Sequence, residues 1–502
     1  MTAPASALAS SPAAPAHPHA PLPERRVTRR EFLEIFTAVM VPMFMAMIDQ
    51  TLLATATPVV AADFHNLFDT SWIGTAYMLA SAVMIPVYGR LGDRYGRRRM
   101  LVTALAVFVV GSLVCGASQS MHQLIAGRVL QGLGAGGLMS LSFAIIGELV
   151  PPRQRASYQG YFAMNSMAAN MLGPVIGGLV VAHASWRWLF FVNLPLGLLA
   201  TWRLMQLPAS KANADAPGIS DPAGLALFAA STASLLFGLS SAGHRFDWWS
   251  WPTALFVGGG VLGWMALLGL ERRRLRQGAA PFFPVDLLGD RPTRLLLSTA
   301  VLSTACLLAL VFYLPVYLQL GLHTGAARSG LLLTPVLLGF ILGGTLSGRR
   351  LGHTGDPKPI PIAGQALSCL AFVGLGFAPP HLGVLAVLGF MAGLGLGPTM
   401  PVVQVTVQTL AGRENLGAAT ALTTLSRTMG AALGTALTGA LIYSLMPDID
   451  LSQATAVAGA GATESVAGNA EVLRAFHMAF FSAAGAAALG AYAASRLPRL
   501  KI

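Results

Sequence analysis

The sequence predicts an all-α polytopic membrane protein with 14 transmembrane helices, built as two parallel six-helix halves plus two extra central helices. Three observations support this class. Hydrophobic residues make up 54% of the 502 residues and charged residues only 10%, whereas soluble domains average about 25% charged residues. Apolar runs long enough to cross a bilayer recur along the whole chain. Part of the sequence also repeats, 261 residues apart.

The apolar runs are too long for barrel strands, so each is expected to cross the membrane as a helix. If both termini are cytoplasmic, the inner segments hold 26 of the 32 Lys and Arg residues, and the outer loops hold four. A missed helix would invert every later loop, so this bias supports both the orientation and the span count. The runs begin near residues 34, 71, 100, 123, 158, 188, 223, 252, 295, 327, 359, 382, 416 and 472.

The repeat relates segment 132–139 (GLGAGGLM) to segment 393–400 (GLGLGPTM). Parallel repeats are a common plan of alternating-access transporters, in which the substrate cavity lies between the halves. The expected organisation is a disordered cytoplasmic tail at 1–32, an N-terminal six-helix half at 33–210, two extra helices with linkers at 211–290, and a C-terminal six-helix half at 291–502.

Other classes of protein lack support. The three cysteines lie inside apolar runs without CxxC spacing, so we expect neither disulfides nor a metal site. The GxGxxG pattern at residues 132–137 has no preceding strand, and close helix packing explains its glycines better than nucleotide binding. A membrane enzyme needs clustered His, Asp or Glu within spans, and a sensor needs a soluble output domain. Asymmetric basic loops, not nucleic-acid binding, explain the net charge of +12.

Residues 89–99 (GRLGDRYGRRR) lie between spans two and three. They resemble the signature loop of the major facilitator superfamily, because a basic inner loop alone does not explain the spacing of its glycines and aspartate. Asp93 is expected to accept hydrogen bonds from a helix N-terminus of the second half. Arg97 is expected to pair with Glu148, so that both contacts latch the inner face. The predicted gate comprises Gly89, Asp93, Arg94, Gly96, Arg97, Arg98 and Glu148.

Span one contains Asp49 and Thr51 in a pattern similar to the Asp-x-Thr motif of drug:proton antiporters. Span four contains Arg128 and Gln131 in a pattern that resembles the buried-arginine motif of the superfamily. Intramembrane charges are costly and usually line a cavity or pair, so these four residues are predicted to serve proton coupling and the substrate cavity. Alternatively, Asp49 is permanently protonated or structurally paired, and Arg128 snorkels to the outer interface. Arg427 is a further charge within a span, without an assigned role.

Two further motifs carry the resemblance. Gly173, Pro174, Gly177 and Gly178 in span five resemble the motif that marks antiporters, although glycine packing alone is an alternative. Residues 185–197 (SWRWLFFVNLPLG) are similar to a loop typical of the fourteen-span drug:proton antiporter family, although an interfacial aromatic belt is an alternative.

The resemblance implies a proton-driven antiporter, not an enzyme, that exports small amphipathic, often cationic, organic compounds and drugs. It implies no cofactor besides the proton motive force, and a bacterial cytoplasmic (inner) membrane location with both termini cytoplasmic. Membrane lipid and, in cells with two membranes, a periplasmic adaptor and an outer-membrane channel are the expected partners; nucleic acid is not. The alternative is a dedicated exporter of one endogenous metabolite, antibiotic or siderophore.

Overall fold

A computed structural model describes residues 28–66, 69–209, 221–242, 246–278, 283–322, 331–379, 381–412, 414–445 and 469–501. These residues are almost entirely helical, and their only β feature is an isolated bridge between Ala242 and Phe246. The predicted all-α polytopic fold is therefore confirmed. Most of the expected tail, residues 1–27, lies outside the described residues.

Eight helices form the first part of the chain. The first begins four residues before the predicted boundary because Thr28 and Glu31 form a capping box, in which the Thr28 side chain accepts from the Glu31 N–H and the Glu31 carboxylate accepts from the Thr28 N–H. The helices are α1 (Arg29–Asp63), α2 (Thr70–Tyr95), α3 (Arg97–Gly116), α4 (Met121–Leu149), α5 (Pro152–Ser157), α6 (Gln159–His183), α7 (Trp188–Phe191) and α8 (Asn193–Met205).

The central and second parts follow. Asp221 caps the first of the central helices by accepting from the Gly224 N–H, and it also pairs with Arg274 on the next helix. The central helices are α9 (Pro222–Ser241), α10 (Trp251–Arg276) and the short α11 (Val285–Gly289). The second part contains α12 (Arg291–Leu322), α13 (Leu333–Thr354), α14 (Pro359–Phe377), α15 (Leu382–Leu396), α16 (Thr399–Ala411), α17 (Leu416–Leu445) and α18 (Asn469–Ser495).

Twelve helical segments of the described chain are long and apolar enough to cross a membrane. Three of these segments, at 152–183, 188–205 and 382–411, each combine two consecutive helices. Helices α13 and α17 are also long enough, but they are not among the twelve. Each of the fourteen predicted segments thus coincides with a long helix or with two consecutive shorter helices, while membrane crossing by α13 and α17 stays a prediction.

The repeated glycine segments serve helix packing in both parts. A Cβ on Gly132 would lie 2.9 Å from the Ala80 Cβ of α2, and one on Gly137 would lie 2.6 Å from the Ala104 Cβ of α3. In the second part, a Cβ on Gly395 would lie 2.7 Å from the Ser368 backbone nitrogen. These glycines therefore let α4 and α15 approach their neighbours closely, as the packing interpretation of GxGxxG requires.

Two large hydrophobic clusters form separate cores. One is built from α1, α2, α3, α4, α6 and α8. The other is built from α12, α13, α14, α15, α17 and α18. Each part thus buries its own apolar side chains, and two smaller hydrophobic clusters include residues of both parts.

Candidate functional site

Asp49 lies at the centre of a buried polar network inside the first part. Its Oδ2 accepts from Arg128 Nη1 at 2.5 Å, and its Oδ1 accepts from Gln131 Nε2 at 2.7 Å and from Asn193 Nδ2 at 3.2 Å. The side chains of Asp49 and Arg128 are 3% and 1% exposed. The network therefore ties α1, α4 and α8 together, and the carboxylate is fully compensated.

Arg128 has its own set of contacts. Its Nε donates to the Ile73 carbonyl at 3.0 Å, its Nη1 also donates to Gln131 Oε1 at 2.7 Å, and its guanidinium lies 4.2 Å from the Tyr77 ring centroid. Arg128 is fully buried and does not snorkel to the interface. The structural pairing of Asp49, which the sequence left open as an alternative, is present, whereas a role in proton coupling stays a prediction.

The network includes residues that the sequence did not assign to it. Asn193 donates to Ser112 Oγ at 2.8 Å, and Ser112 donates to the Phe190 carbonyl at 2.9 Å. Asn193 had been grouped with the loop motif at 185–197. A lone asparagine at the head of an apolar run was the available signal, because a polar amide inside lipid needs partners.

Thr51 lies on α1 but is not hydrogen-bonded to this network. Its hydroxyl donates to the Ile48 carbonyl at 2.9 Å and to the Ala169 carbonyl of α6 at 3.1 Å. A Cβ on Gly173 would lie 2.5 Å from the Thr51 Cβ. Gly173 therefore serves the close approach of α1 and α6. Pro174 and the buried Gly177 follow on α6, while Gly178 is exposed with open space beside it.

The residues of the predicted gate join the two parts of the molecule. Asp93 Oδ1 accepts from the Gly417 N–H at 2.9 Å, and Oδ2 accepts from the Ala418 N–H at 3.0 Å, at the first turn of α17. Arg97 donates to Asp93 Oδ1 at 2.6 Å and to Glu148 Oε2 at 3.0 Å. Both contacts expected from the sequence are thus present, whereas their role as a latch stays a prediction.

The other gate residues differ in their contacts. A Cβ on Gly89 would lie 2.7 Å from the Gly417 carbonyl oxygen and 2.8 Å from the Ala421 Cβ, so this glycine allows α2 to touch α17. Gly96 has φ 95° between α2 and α3, which favours glycine. Arg98 donates to the Leu207 carbonyl, and Arg94 lies 5.7 Å from the Tyr95 ring centroid instead of joining the latch.

Sequence reasoning missed a second set of charges beside the gate. Arg90 was not assigned to the predicted gate, yet it is only 5% exposed and interacts electrostatically with Asp286, Asp93 and Glu271. Glu271 on α10 is fully buried. The central helices therefore contact the gate through charge, and only the tertiary structure brings these residues together.

A cavity of about 260 Å³ lies between the two parts. Met47, Ser166 and Asn170 line it from the first part, and most of the lining comes from α12, α13, α16 and α17. Arg427 is the one charged residue among the described residues of this lining. Asp49, Thr51, Arg128 and Gln131, predicted together for proton coupling and the substrate cavity, do not line it. The structure separates the buried charge network from the cavity.

A group of hydrogen bonds to Asp63 connects α1 to the loop before α7. Asp63 Oδ2 accepts from the Trp186 indole N–H at 3.0 Å and from Arg187 Nη1 at 3.1 Å. The bond from Trp186, followed by that from Arg187, lowers the pKa of the Asp63 carboxyl. Trp186 is 3% exposed and therefore packs inside the protein, whereas Trp188 is 61% exposed and fits the aromatic-belt alternative.

Comparison with known proteins agrees with this architecture. The family profile of the Major Facilitator Superfamily matches residues 39–435. The chain is 33% identical over 416 residues to an uncharacterized MFS-type transporter of Mycobacterium tuberculosis, covering 82% of this chain and 60% of that relative's length. It is 30% identical over 413 residues to the multidrug transporter protein MdtP of Bacillus subtilis, covering 81% of this chain and 75% of MdtP. The chain belongs to the Major Facilitator Superfamily and is a multi-pass membrane protein.

Solved structures are similar in fold. The human organic anion transporter MFSD10 matches with a TM-score of 0.61 at 16% identity, over 92% of this chain and 99% of that one. The proton:xylose symporter XylE matches with a TM-score of 0.61 at 14% identity, over 93% and 96%. At these identities the likeness concerns the fold.

Proposed function

We propose that the protein is a proton-coupled antiporter that exports small amphipathic organic compounds, drugs among them, across the bacterial cytoplasmic membrane by alternating access. In this proposal the halves at 33–210 and 291–502 rock around the cavity, and the segment 211–290 supplies the two extra helices. The multidrug transporter MdtP and an efflux pump of Gibberella moniliformis, 30% identical over 360 residues, support export as the direction.

One observation carries the coupling proposal. Asp49 is a titratable carboxylate inside a span, held by a single guanidinium and two amides. Protonation would remove the charge that Arg128 compensates, so the network has two states that differ by one proton. One proton moving down about 150 mV supplies roughly 3.5 kcal/mol, which sustains an approximately 300-fold gradient of an uncharged solute.

The closed latch supports alternating access. Asp93 holds the N-terminus of α17, a helix of the other half, through two backbone N–H groups. Charge-assisted bonds of this kind are strong but exchangeable with water, so the inner face opens when they break. The gate residues act in the proposal as a switch and not as a binding site.

The test is dye export from energised cells. Cells expressing the wild type, Asp49→Asn or the control Glu34→Gln are loaded with ethidium as a cation, Nile red as a neutral dye and dansylglycine as an anion. Glu34 is an exposed carboxylate on the same helix, outside the network. We expect uncoupler-sensitive export of at least one dye by the wild type and the control, and its loss in Asp49→Asn at equal membrane abundance.

Two results would change the proposal. A mutant that pumps like the wild type removes Asp49 from the coupling step. A folded wild type that exports none of the dyes refutes broad efflux and favours a dedicated exporter of one endogenous metabolite, antibiotic or siderophore. Orientation with both termini cytoplasmic, operation without a cofactor, and an adaptor with an outer-membrane channel in two-membrane cells belong to the proposal as well.

A further inference from the structure

Arg427 lies on α17, half-buried in the wall of the cavity between the halves. Across the described ranges, no hydrogen bond or ion pair involves its guanidinium. Arg90, Arg97 and Arg128 each have a carboxylate as a partner or an electrostatic neighbour, whereas the buried Arg155, which does not line this cavity, also has nitrogen atoms without a partner. An uncompensated cation inside a membrane protein is costly, so its retention in the cavity wall calls for a partner that is not part of the chain.

A second side chain of the cavity also lacks a partner. Gln404 on α16 is 2% exposed and lines the same cavity. Its Oε1 accepts from the Thr423 hydroxyl at 2.9 Å, one helical turn before Arg427. In this orientation of the amide, Nε2 is the free end, and it is buried without an acceptor among the residues described. A buried donor without an acceptor costs about 1–3 kcal/mol.

Both unpartnered groups are donors, and both line one cavity. Among the described lining residues there is no carboxylate to oppose them, and Asp49 is already neutralised by Arg128 in a separate network. The remaining surface is suited to an amphipathic body, with Leu307, Val311 and Phe340 as apolar contacts. A cationic substrate would be repelled by Arg427, and this repulsion is strong where water is scarce.

We propose that the cavity selects amphipathic organic anions, with Arg427 and Gln404 as the residues that hold the anionic group. A planar carboxylate fits best, because a guanidinium binds it through two parallel N–H bonds, and the Gln404 amide supplies a further donor. The inference rests on the proposed export function for the meaning of the cavity. It departs from the cationic substrates that the family resemblance implies.

Direct binding to purified protein tests the inference without transport. The probes are dansylglycine, a carboxylate, and dansylglycinamide, its uncharged isostere, followed by fluorescence anisotropy in detergent. The variants are Arg427→Gln, Arg427→Lys and Gln404→Leu. Arg499→Gln is the matched control, since Arg499 is exposed near the C-terminus and its loss removes the same charge elsewhere.

The wild type is expected to bind dansylglycine at least about 10-fold more tightly than dansylglycinamide. Arg427→Gln should weaken dansylglycine binding about 10- to 100-fold, and Gln404→Leu about 10-fold, while neither changes dansylglycinamide binding comparably. Arg427→Lys should retain part of the affinity for dansylglycine, because lysine keeps the positive charge but cannot donate two parallel N–H bonds to a carboxylate. Arg499→Gln should bind like the wild type.

Equal affinity of the wild type for the two probes overturns the inference, and so does unchanged dansylglycine binding in Arg427→Gln. If Arg427→Gln does not fold, the other two variants decide, and unchanged binding in both overturns it. The outcome is distinguishable from that of the export proposal. If the protein binds dansylglycine through Arg427 but exports no dye, the export proposal is refuted and the anion site is supported. If the protein exports ethidium alone, the export proposal is supported and the anion site is refuted.

Discussion

The ion pair between Asp49 and Arg128 makes a sharp thermodynamic prediction. The two side chains are 3% and 1% exposed, and their closest atoms lie 2.5 Å apart. At an effective dielectric constant of about 20, charges about 4 Å apart attract by roughly 4 kcal/mol. Removal of one partner of a buried pair costs about 3–5 kcal/mol, since it leaves the other charge uncompensated. Asp49→Asn and Arg128→Met should each lower the free energy of unfolding by about this amount.

The double variant Asp49→Asn/Arg128→Met should be more stable than the sum of the single effects predicts, by about 2 kcal/mol or more. The amide oxygen that Asp49→Asn introduces can still accept from Gln131 and Asn193, which donate to the carboxylate in the wild type. The assay is denaturant unfolding in mixed micelles, with dye export measured in parallel.

Additive single effects would refute the pairing as an energetic unit. If the double variant is stable and its dye export is still abolished by an uncoupler, Asp49 has no role in proton coupling. The structural role of the pair in the wild type would not be affected by that result. A stable double variant without export separates the two roles, because the fold then survives and only proton coupling is lost.

Three further predictions follow from the gate and the cavity. Asp93→Asn should weaken the contact with the first turn of α17 by about 1–3 kcal/mol. A cysteine placed at Ser166 in a cysteine-free background should therefore be labelled faster from the cytoplasmic side. An unchanged labelling rate would contradict the proposed role of Asp93 as a latch. Gly89→Ala places a methyl group 2.7 Å from the Gly417 carbonyl oxygen, so it should raise the same labelling rate, and a rate equal to that of the wild type would show that α2 and α17 need not touch. Exchange of a monoanion for one proton moves two charges across the membrane, and this movement is worth about 4.6 kcal/mol per 100 mV. A potassium diffusion potential without a pH difference should therefore drive dansylglycine transport in proteoliposomes. Transport that responds to a pH difference but not to the potential would contradict this stoichiometry.

Local sequence was sufficient where function depends on a short pattern. The spacing of Gly89, Asp93 and Gly96 predicted the loop, and general electrostatics predicted that Asp93 would meet a helix N-terminus. Recurrence of glycines predicted the close helix contacts of α4 and α15. Hydropathy located the long helices and the two helix pairs at 188–205 and 382–411, because lipid imposes a length and an apolar composition on each segment.

Contacts between distant helices were harder to predict. Asp49 and Arg128 were each identified, but hydropathy does not state which faces of spans one and four meet. Asn193 was assigned to a loop, and Arg90 with Glu271 escaped notice because a basic loop and the end of an apolar run look ordinary. The charge of the cavity was missed for the same reason. Gln404 is unremarkable in sequence, and Arg427 was noted only as a charge within a span without an assigned role. Their shared lack of partners exists only in three dimensions.

Helix α17 carries both the gate contact and the cavity arginine. Asp93 holds its first turn at Gly417 and Ala418, and Arg427 follows about 15 Å along the axis. The stretch between Ala418 and Arg427 contains neither glycine nor proline, so it transmits displacement as a rigid rod. Under the two proposals, a ligand that pulls on Arg427 would therefore also pull on the contact between Asp93 and α17, and release of that contact would move the charge that holds the ligand. The same helix would then carry the ligand-binding charge and the gate contact, so no further structural element is needed to couple occupancy of the cavity to the gate.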